Sequence, residues 1–130
     1  MGMSSAGPRR RYWRLYRSSL DHRVIRDELL ALPRGAYAEV KAAMDDVEDF
    51  GLQASKRLRN EIREIVASDP TQGTACRLLF AVDGREGQIL LGLVFFNKKT
   101  QKTPPRYIDL AEKRLADWRS RRQQHEASKR

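Results

Sequence analysis

Three lysines crowd into five positions of one short stretch, "FFNKKTQKTPP", which runs from Phe95 to Pro105. Lys98, Lys99 and Lys102 stand between an apolar run, "ILLGLVFF", and the start of a helical pattern. A helix N-terminus offers unpaired N–H groups and a partial positive charge. Lysines gathered just ahead of it repel one another unless an anion joins them, so the stretch has the makings of a phosphate site. The plain alternative is a solubilising loop. Two arginines strengthen the phosphate reading. Arg77 sits inside an apolar strand, "ACRLLFAV", where a cation needs a partner or an exposed face. Arg63 lies in "EIREI" and either joins the anion site or pairs with Glu61 or Glu64.

Other chemistries find little support. The only histidines, His22 and His125, fall in the first helical stretch and near the C-terminus. The sequence contains no metal-ligand cluster, no glycine-rich phosphate loop of the P-loop type and no Ser/His/Asp set placed to meet. No metal or cofactor is expected. The single cysteine, Cys76, rules out an intrachain disulfide framework and reads as a small core residue in a reducing cytosol. The longest apolar run falls far short of the roughly 20 residues that span a bilayer. The N-terminal "MGMSSAGPRRR" has no apolar stretch behind its arginines, so no secretion signal and no membrane partner are expected.

At 130 residues the chain suits one domain with a modest core. Its net charge of +9 points to a polyanionic partner. The charge sits at the ends: residues 1–17 carry five arginines and no acid, and residues 97–130 carry eleven basic and four acidic side chains. Residues 18–55 are acidic on balance. Either the fold gathers the two ends into a basic face, or they form two loose basic tails.

The elements that must position these residues follow from periodicity. Residues 1–11 read as disordered. "YWRLYRS" alternates, with Tyr12, Arg14 and Tyr16 on one side and Trp13 and Leu15 on the other, and predicts a short strand. Asp21 caps a helix reaching about Leu32, Pro33-Arg34-Gly35 breaks it, and a second helix runs from Ala36 to Phe50 with Gly51 closing it. The two form a helical hairpin. The stretch "SKRLRNEIREIVAS" is ambiguous: its periodicity prefers a helix, although Ile62 and Val66 opposite Ile65 also fit a strand. A loop over residues 69–73 leads to the strand "ACRLLFAV", a turn at Asp83-Gly84, and the strand "QILLGLVFF", apolar on both faces and so expected to be covered on both. Thr103 is the expected N-cap of a final helix, with Pro104 and Pro105 in its first turn, continuing into a basic tail over 120–130.

The order of these parts, "LRNEIREI", "ACRLLFAV", "ILLGLVFFNKKTQKTPP" and "IDLAEKRLADW", resembles the RelE/HigB superfamily of toxin–antitoxin toxins, and most closely its phage-derived Gp49-like branch. The matching motifs are Glu61-Ile62-Arg63, Cys76-Arg77-Leu78-Leu79-Phe80 and the run from Lys98 to Pro104, within a likeness covering about residues 12–118. The resemblance implies an α+β, RelE-like fold: an N-terminal strand and a helical hairpin packed on a small antiparallel sheet, with a C-terminal helix. It turns the ambiguous segment into a strand at about 61–66. The toxin domain then spans 12–119.

The resemblance further implies a cytoplasmic endoribonuclease that cleaves messenger RNA, commonly on the ribosome, without a metal. Its partner would be a cognate antitoxin, often a helix-turn-helix protein. The substrate's own 2′-OH is the nucleophile, so the protein must stabilise charge and move protons. Arg63 and Arg77 suit charge stabilisation, because arginine binds phosphate bidentately and is no ordinary acid at pH 7. Crowding disfavours the ammonium form, which lets Lys98, Lys99 or Lys102 exchange protons. Lys56, Arg57, Arg59, Arg106 and Tyr107 are the expected RNA contacts, with helix-core packing the competing role for Tyr107. Many relatives carry a histidine in the apolar strand; about Val94 stands at that position here. Two other readings stay open: a non-cleaving interaction module of the same fold, and a ParE-like gyrase poison.

Overall fold

The computed structural model describes residues 10–20, 22–69, 74–98 and 102–128. Five strands form one sheet in the order β1-β5-β4-β3-β2: β1 (Tyr12–Leu15), β2 (Lys56–Arg59), β3 (Ile62–Asp69), β4 (Thr74–Asp83) and β5 (Ile89–Lys98). Three helices accompany it: α1 (Val24–Leu30), α2 (Arg34–Phe50) and α3 (Pro105–Ser128). The fold is α+β as expected, but the sheet is mixed. β2 to β5 pair antiparallel, whereas β1 joins β5 in parallel, because the helical hairpin and the β2–β4 strands intervene between them.

Directly opposed residues of neighbouring strands share a face, so the register sorts the side chains into two layers. Ile65, Leu78 and Phe95 lie on one face, along with Phe80 and Cys76. The helical hairpin covers this side. Trp13 packs edge-on against Phe80 at 5.0 Å, and its indole N–H donates to the Met44 carbonyl at 2.9 Å. The α2 stripe Val40, Met44 and Val47 is buried there, as its spacing predicts. The other face carries Glu64, Val66, Arg77, Leu79, Val94 and Phe96 and lies under α3. β5 is therefore an interior strand, buried continuously from Ile89 to Phe96.

Several local expectations change. The ambiguous segment is neither one helix nor one strand. It is the β2–β3 hairpin, turned at Asn60, whose φ is 53°. Burial on both sides of the sheet overrides a helical spacing that four residues, Leu58, Ile62, Ile65 and Val66, happen to satisfy. Pro33 precedes α2, which begins at Arg34, so the breaker is a helix start. Thr103 does not cap α3: its hydroxyl donates to Glu64, and Pro104 is the residue that enters the helix at Pro105. α3 runs on to Ser128 through the residues expected to be a tail. Asp21, Lys99, residues 1–9 and most of the 69–73 loop lie outside the described residues. Among the described residues, no helix is long and apolar enough to cross a membrane.

α3 is pinned by polar contacts along its length. The Arg119 guanidinium bonds both Glu61 and the buried Asp83, and Asp83 also accepts from Trp118 at 3.0 Å and Arg122 at 2.7 Å. Arg114 donates to the Leu93 carbonyl at 2.7 Å, where a bulge shifts the β4–β5 register. Arg119 holds Glu61 below the usual carboxylate range. The Tyr16 hydroxyl, 2.7 Å away, and then Arg121 do the same for Asp117.

Two predictions follow from the packing and these anchors. Phe80 is fully buried between layers, so Phe80→Ala is expected to cost about 3–5 kcal/mol in urea unfolding. A wild-type midpoint would contradict its place in the core. Glu61 and Asp117 have folded pKa values below their unfolded ones. They contribute stability above the ordinary carboxylate pKa of about 4 and lose it as pH falls through the lower, folded values. Urea midpoints are thus expected to fall steeply below about pH 4, and less steeply in a Glu61→Gln/Asp117→Asn variant. An identical acid loss in that variant would show that these contacts do not hold α3.

Candidate functional site

The end of the sheet beside the start of α3 is organised around a buried ion pair. Alternation along β3 turns Glu64 toward α3, and the register puts Arg77 opposite Val66 on the same face, one diagonal step from Glu64. Arg77 Nη1 lies 3.0 Å from Glu64 Oε1, and the two side chains are 7% and 4% exposed. The Thr103 hydroxyl donates to the other carboxylate oxygen, Oε2. Glu64 thus ties β3, β4 and the segment entering α3 into one unit. One turn further, Tyr107 stacks face to face on Phe96, with centroids 4.0 Å apart and planes 6° from parallel. The Arg106 guanidinium lies 4.8 Å from the centre of the Tyr107 ring.

Around this unit the surface is basic. Lys102 is exposed just ahead of α3, and Arg106 is exposed in its first turn. Lys56 is exposed on β2 in register with Glu64, and Lys98 closes β5 in register with Ala75. Val66 is half exposed on the same face and leaves an apolar step between the cations. Lys56, Lys102 and Arg106 with the stacked pair offer charge and a flat aromatic surface, which suits a phosphodiester chain with unstacked bases. Among the described residues, no group of three or more His, Cys, Asp or Glu side chains is placed to hold a metal ion.

The other expected site residues lie elsewhere. Arg63 is next to Glu64 in sequence and so points to the opposite face, where it donates to Ser55 Oγ at 2.7 Å and to the Leu52 carbonyl at 3.1 Å. It meets neither Glu61, which holds Arg119, nor Glu64, which holds Arg77. Arg57, in register with Arg63, donates to the Asn60 carbonyl at 2.8 Å. Arg59 reaches α3 and pairs with Asp109 and Glu112, contacts that raise its pKa. Val94, the position at which the resemblance led to an expected histidine, is buried beneath α3. Sequence reasoning missed Glu64 and Thr103 as parts of this end. A signal existed: an acid and a base each set inside apolar strands imply one another.

Residues 27–116 match the family model described as Phage derived protein Gp49-like (DUF891), well over half of the chain. The chain belongs to this family. It is a RelE/HigB-like toxin family, associated with the toxins of toxin–antitoxin systems, and an antitoxin partner goes with that membership. No curated protein matches the chain at a significant level. The matched span contains the helical hairpin from the middle of α1 onward, β2 to β5 and the start of α3. β1 and about the last three turns of α3 fall outside it.

The buried pair generates the next prediction. Arg77→Ala leaves the Glu64 carboxylate uncompensated under α3 and is expected to destabilise the fold by about 3–5 kcal/mol. A double variant, Arg77→Met with Glu64→Leu, removes both charges and is expected to recover most of that loss. Urea unfolding of the three proteins checks it. Equal losses in the single and double variants would mean that the pair does not carry the coupling.

Proposed function

We propose that this Gp49-like protein is the toxin of a type II toxin–antitoxin system and cuts messenger RNA on the ribosome, in the cytoplasm, without a metal. The observation that carries the reading is the convergence of Lys56, Lys102, Arg106 and the Tyr107–Phe96 stack at one end of the sheet. In the reaction the ribose 2′-oxygen attacks phosphorus. The O2′–P bond forms, the P–O5′ bond breaks, the 2′-OH gives up its proton and the 5′-oxygen takes one. The products are a 2′,3′-cyclic phosphate and a 5′-OH end.

Lys102, with Lys98 and Lys99 beside it in sequence, would move these protons. Arg106 would contact phosphate, and Tyr107 would support a base. Arg77 is better suited to hold Glu64, and through it Thr103, than to meet the substrate directly, so we assign it a positioning role. Arg63 supports the sheet from the hairpin side, and Arg57 and Arg59 are engaged by Asn60 and α3. A helix-turn-helix antitoxin would silence the toxin by covering the lysine end.

The test is translation in a cell extract, with the ends of any cut message sequenced and their chemistry determined in the presence of a chelator. Cut messages with cyclic phosphate ends are expected. The Lys98→Ala/Lys99→Ala/Lys102→Ala variant is expected to lose on the order of 100-fold in rate while staying folded. With no histidine at the site, no titration near pH 6.5 should control the rate. Intact messages and normal translation would sink the reading. Bound but uncut RNA would favour the second reading, a non-cleaving module, for which the buried Val94 at the histidine position speaks.

A further inference from the structure

A second basic surface lies at the other end of α3, along the β1 edge of the sheet. Three cavities follow one another there, of about 350, 530 and 520 Å³. The first shares Arg23 and Arg26 with the second, and Arg14 and Arg17 with the third. Arg121 and Arg122 complete the wall at the α3 end. Neighbouring cavities with common walls make one groove, and among the described residues Asp27 is the only carboxylate in its lining. Arg14, Arg23 and Arg26 are exposed, and none forms a salt bridge with a described carboxylate.

The groove exists because the fold brings together the two basic ends of the chain. β1 and α3 meet through the Tyr16–Asp117 hydrogen bond, through Arg121, which donates to the Arg17 carbonyl, and through Arg14, which lies 5.4 Å from the centre of the Trp118 indole. Its six arginines lie outside residues 27–116, so the span that defines the family does not include them. Along α3, Arg121 is fourteen residues past Tyr107, or about 20 Å at 1.5 Å per residue. The groove is therefore separate from the lysine end.

We infer that this arginine groove binds a stretch of single-stranded RNA away from the bond that is cut. The choice of RNA rests on the proposed RNA substrate; the groove itself does not. Its chemistry fits a nucleic-acid strand. Guanidinium groups spaced along a continuous channel meet successive phosphates, and the flat faces of the arginines and of Trp118 accept unstacked bases. An acidic protein surface is the competing occupant. It has less need of a long channel that is cationic along most of its length.

Fluorescence anisotropy with a 20-residue 2′-O-methyl oligouridylate tests this directly, since that probe lacks the 2′-OH nucleophile and cannot be cut. The Arg14→Ala/Arg23→Ala variant is expected to bind about tenfold more weakly near 0.15 M salt, and its log–log salt slope should be shallower by about 1.4. Arg26→Ala, on the exposed side of α1, should give half that change in slope. Cleavage of a ribosome-bound message truncated so that it cannot reach the groove is expected to be unchanged in these variants. Wild-type affinity and slope in all of them would overturn the inference. So would unchanged RNA binding together with weakened binding of the antitoxin, which would make the groove a protein-docking surface. A wild-type protein that binds the probe through the groove yet cuts no RNA would refute the nuclease proposal and leave this one standing.

Discussion

Two carboxylates lie under α3 on the same face of the sheet, and neither can stay there unpaired. Glu64 and Asp83 are both almost wholly buried. Moving a carboxylate out of water costs several kcal/mol unless its oxygens find cations or donors. Glu64 is met by Arg77 from the next strand and by Thr103 from the segment entering α3. Asp83 is met by Trp118, Arg119 and Arg122, all from α3 itself. One acid therefore fixes the start of the helix and the other fixes its second half. Apolar contacts alone would let a helix slide or roll on the sheet, whereas these two directional sets hold its position and its rotation.

That constraint determines where the basic surfaces fall. With Thr103 held on Glu64, the next turn lays Tyr107 on Phe96 and brings Lys102 and Arg106 to the same end of the sheet. With Asp83 holding the second half, Trp118 and Arg121 come against β1, where Arg14 and Tyr16 project on the same side. The same helix thus joins a lysine-containing end to an arginine-lined edge. Lysine is a compact, mobile charge that can exchange a proton; arginine is a fixed planar donor. The distribution matches chemistry at one end and retention at the other.

Strand periodicity made much of this legible from the residues. The alternation in "YWRLYRS" put Trp13 and Leu15 on one side and Tyr12, Arg14 and Tyr16 on the other, as found. The α2 stripe and the doubly covered β5 were equally plain. What could not be read was pairing across the sheet. Arg63 and Arg77 look alike as lone arginines in apolar strands, yet register sends them to opposite faces. Arg77 meets a carboxylate there and Arg63 a serine and a carbonyl. Nor does local spacing reveal that β1 pairs in parallel with β5, because partner choice between distant strands depends on what the intervening helices must cover.

Whether charges at the chain ends become tails or a surface depends on what anchors them. Residues 120–128 hold good helix formers but no apolar stripe to dock a helix on the sheet, and like charges close together on an isolated helix repel. Here the repulsion is relieved one residue at a time: Arg119 on Glu61 and Asp83, Arg121 on Asp117, Arg122 on Asp83. At the other end Arg10 pairs with Asp49 and Arg11 donates to the Gly87 carbonyl. The acids that do this come mainly from the middle of the chain. Acidic residues in the interior of the sequence are thus what allow basic termini to fold. After that neutralisation, arginines without a salt bridge to a described carboxylate remain along β1 and the start of α1, at Arg14, Arg23 and Arg26. A basic groove is then a consequence of the fold, with Arg121 and Arg122 anchored on Asp117 and Asp83 and Arg14 laid against Trp118.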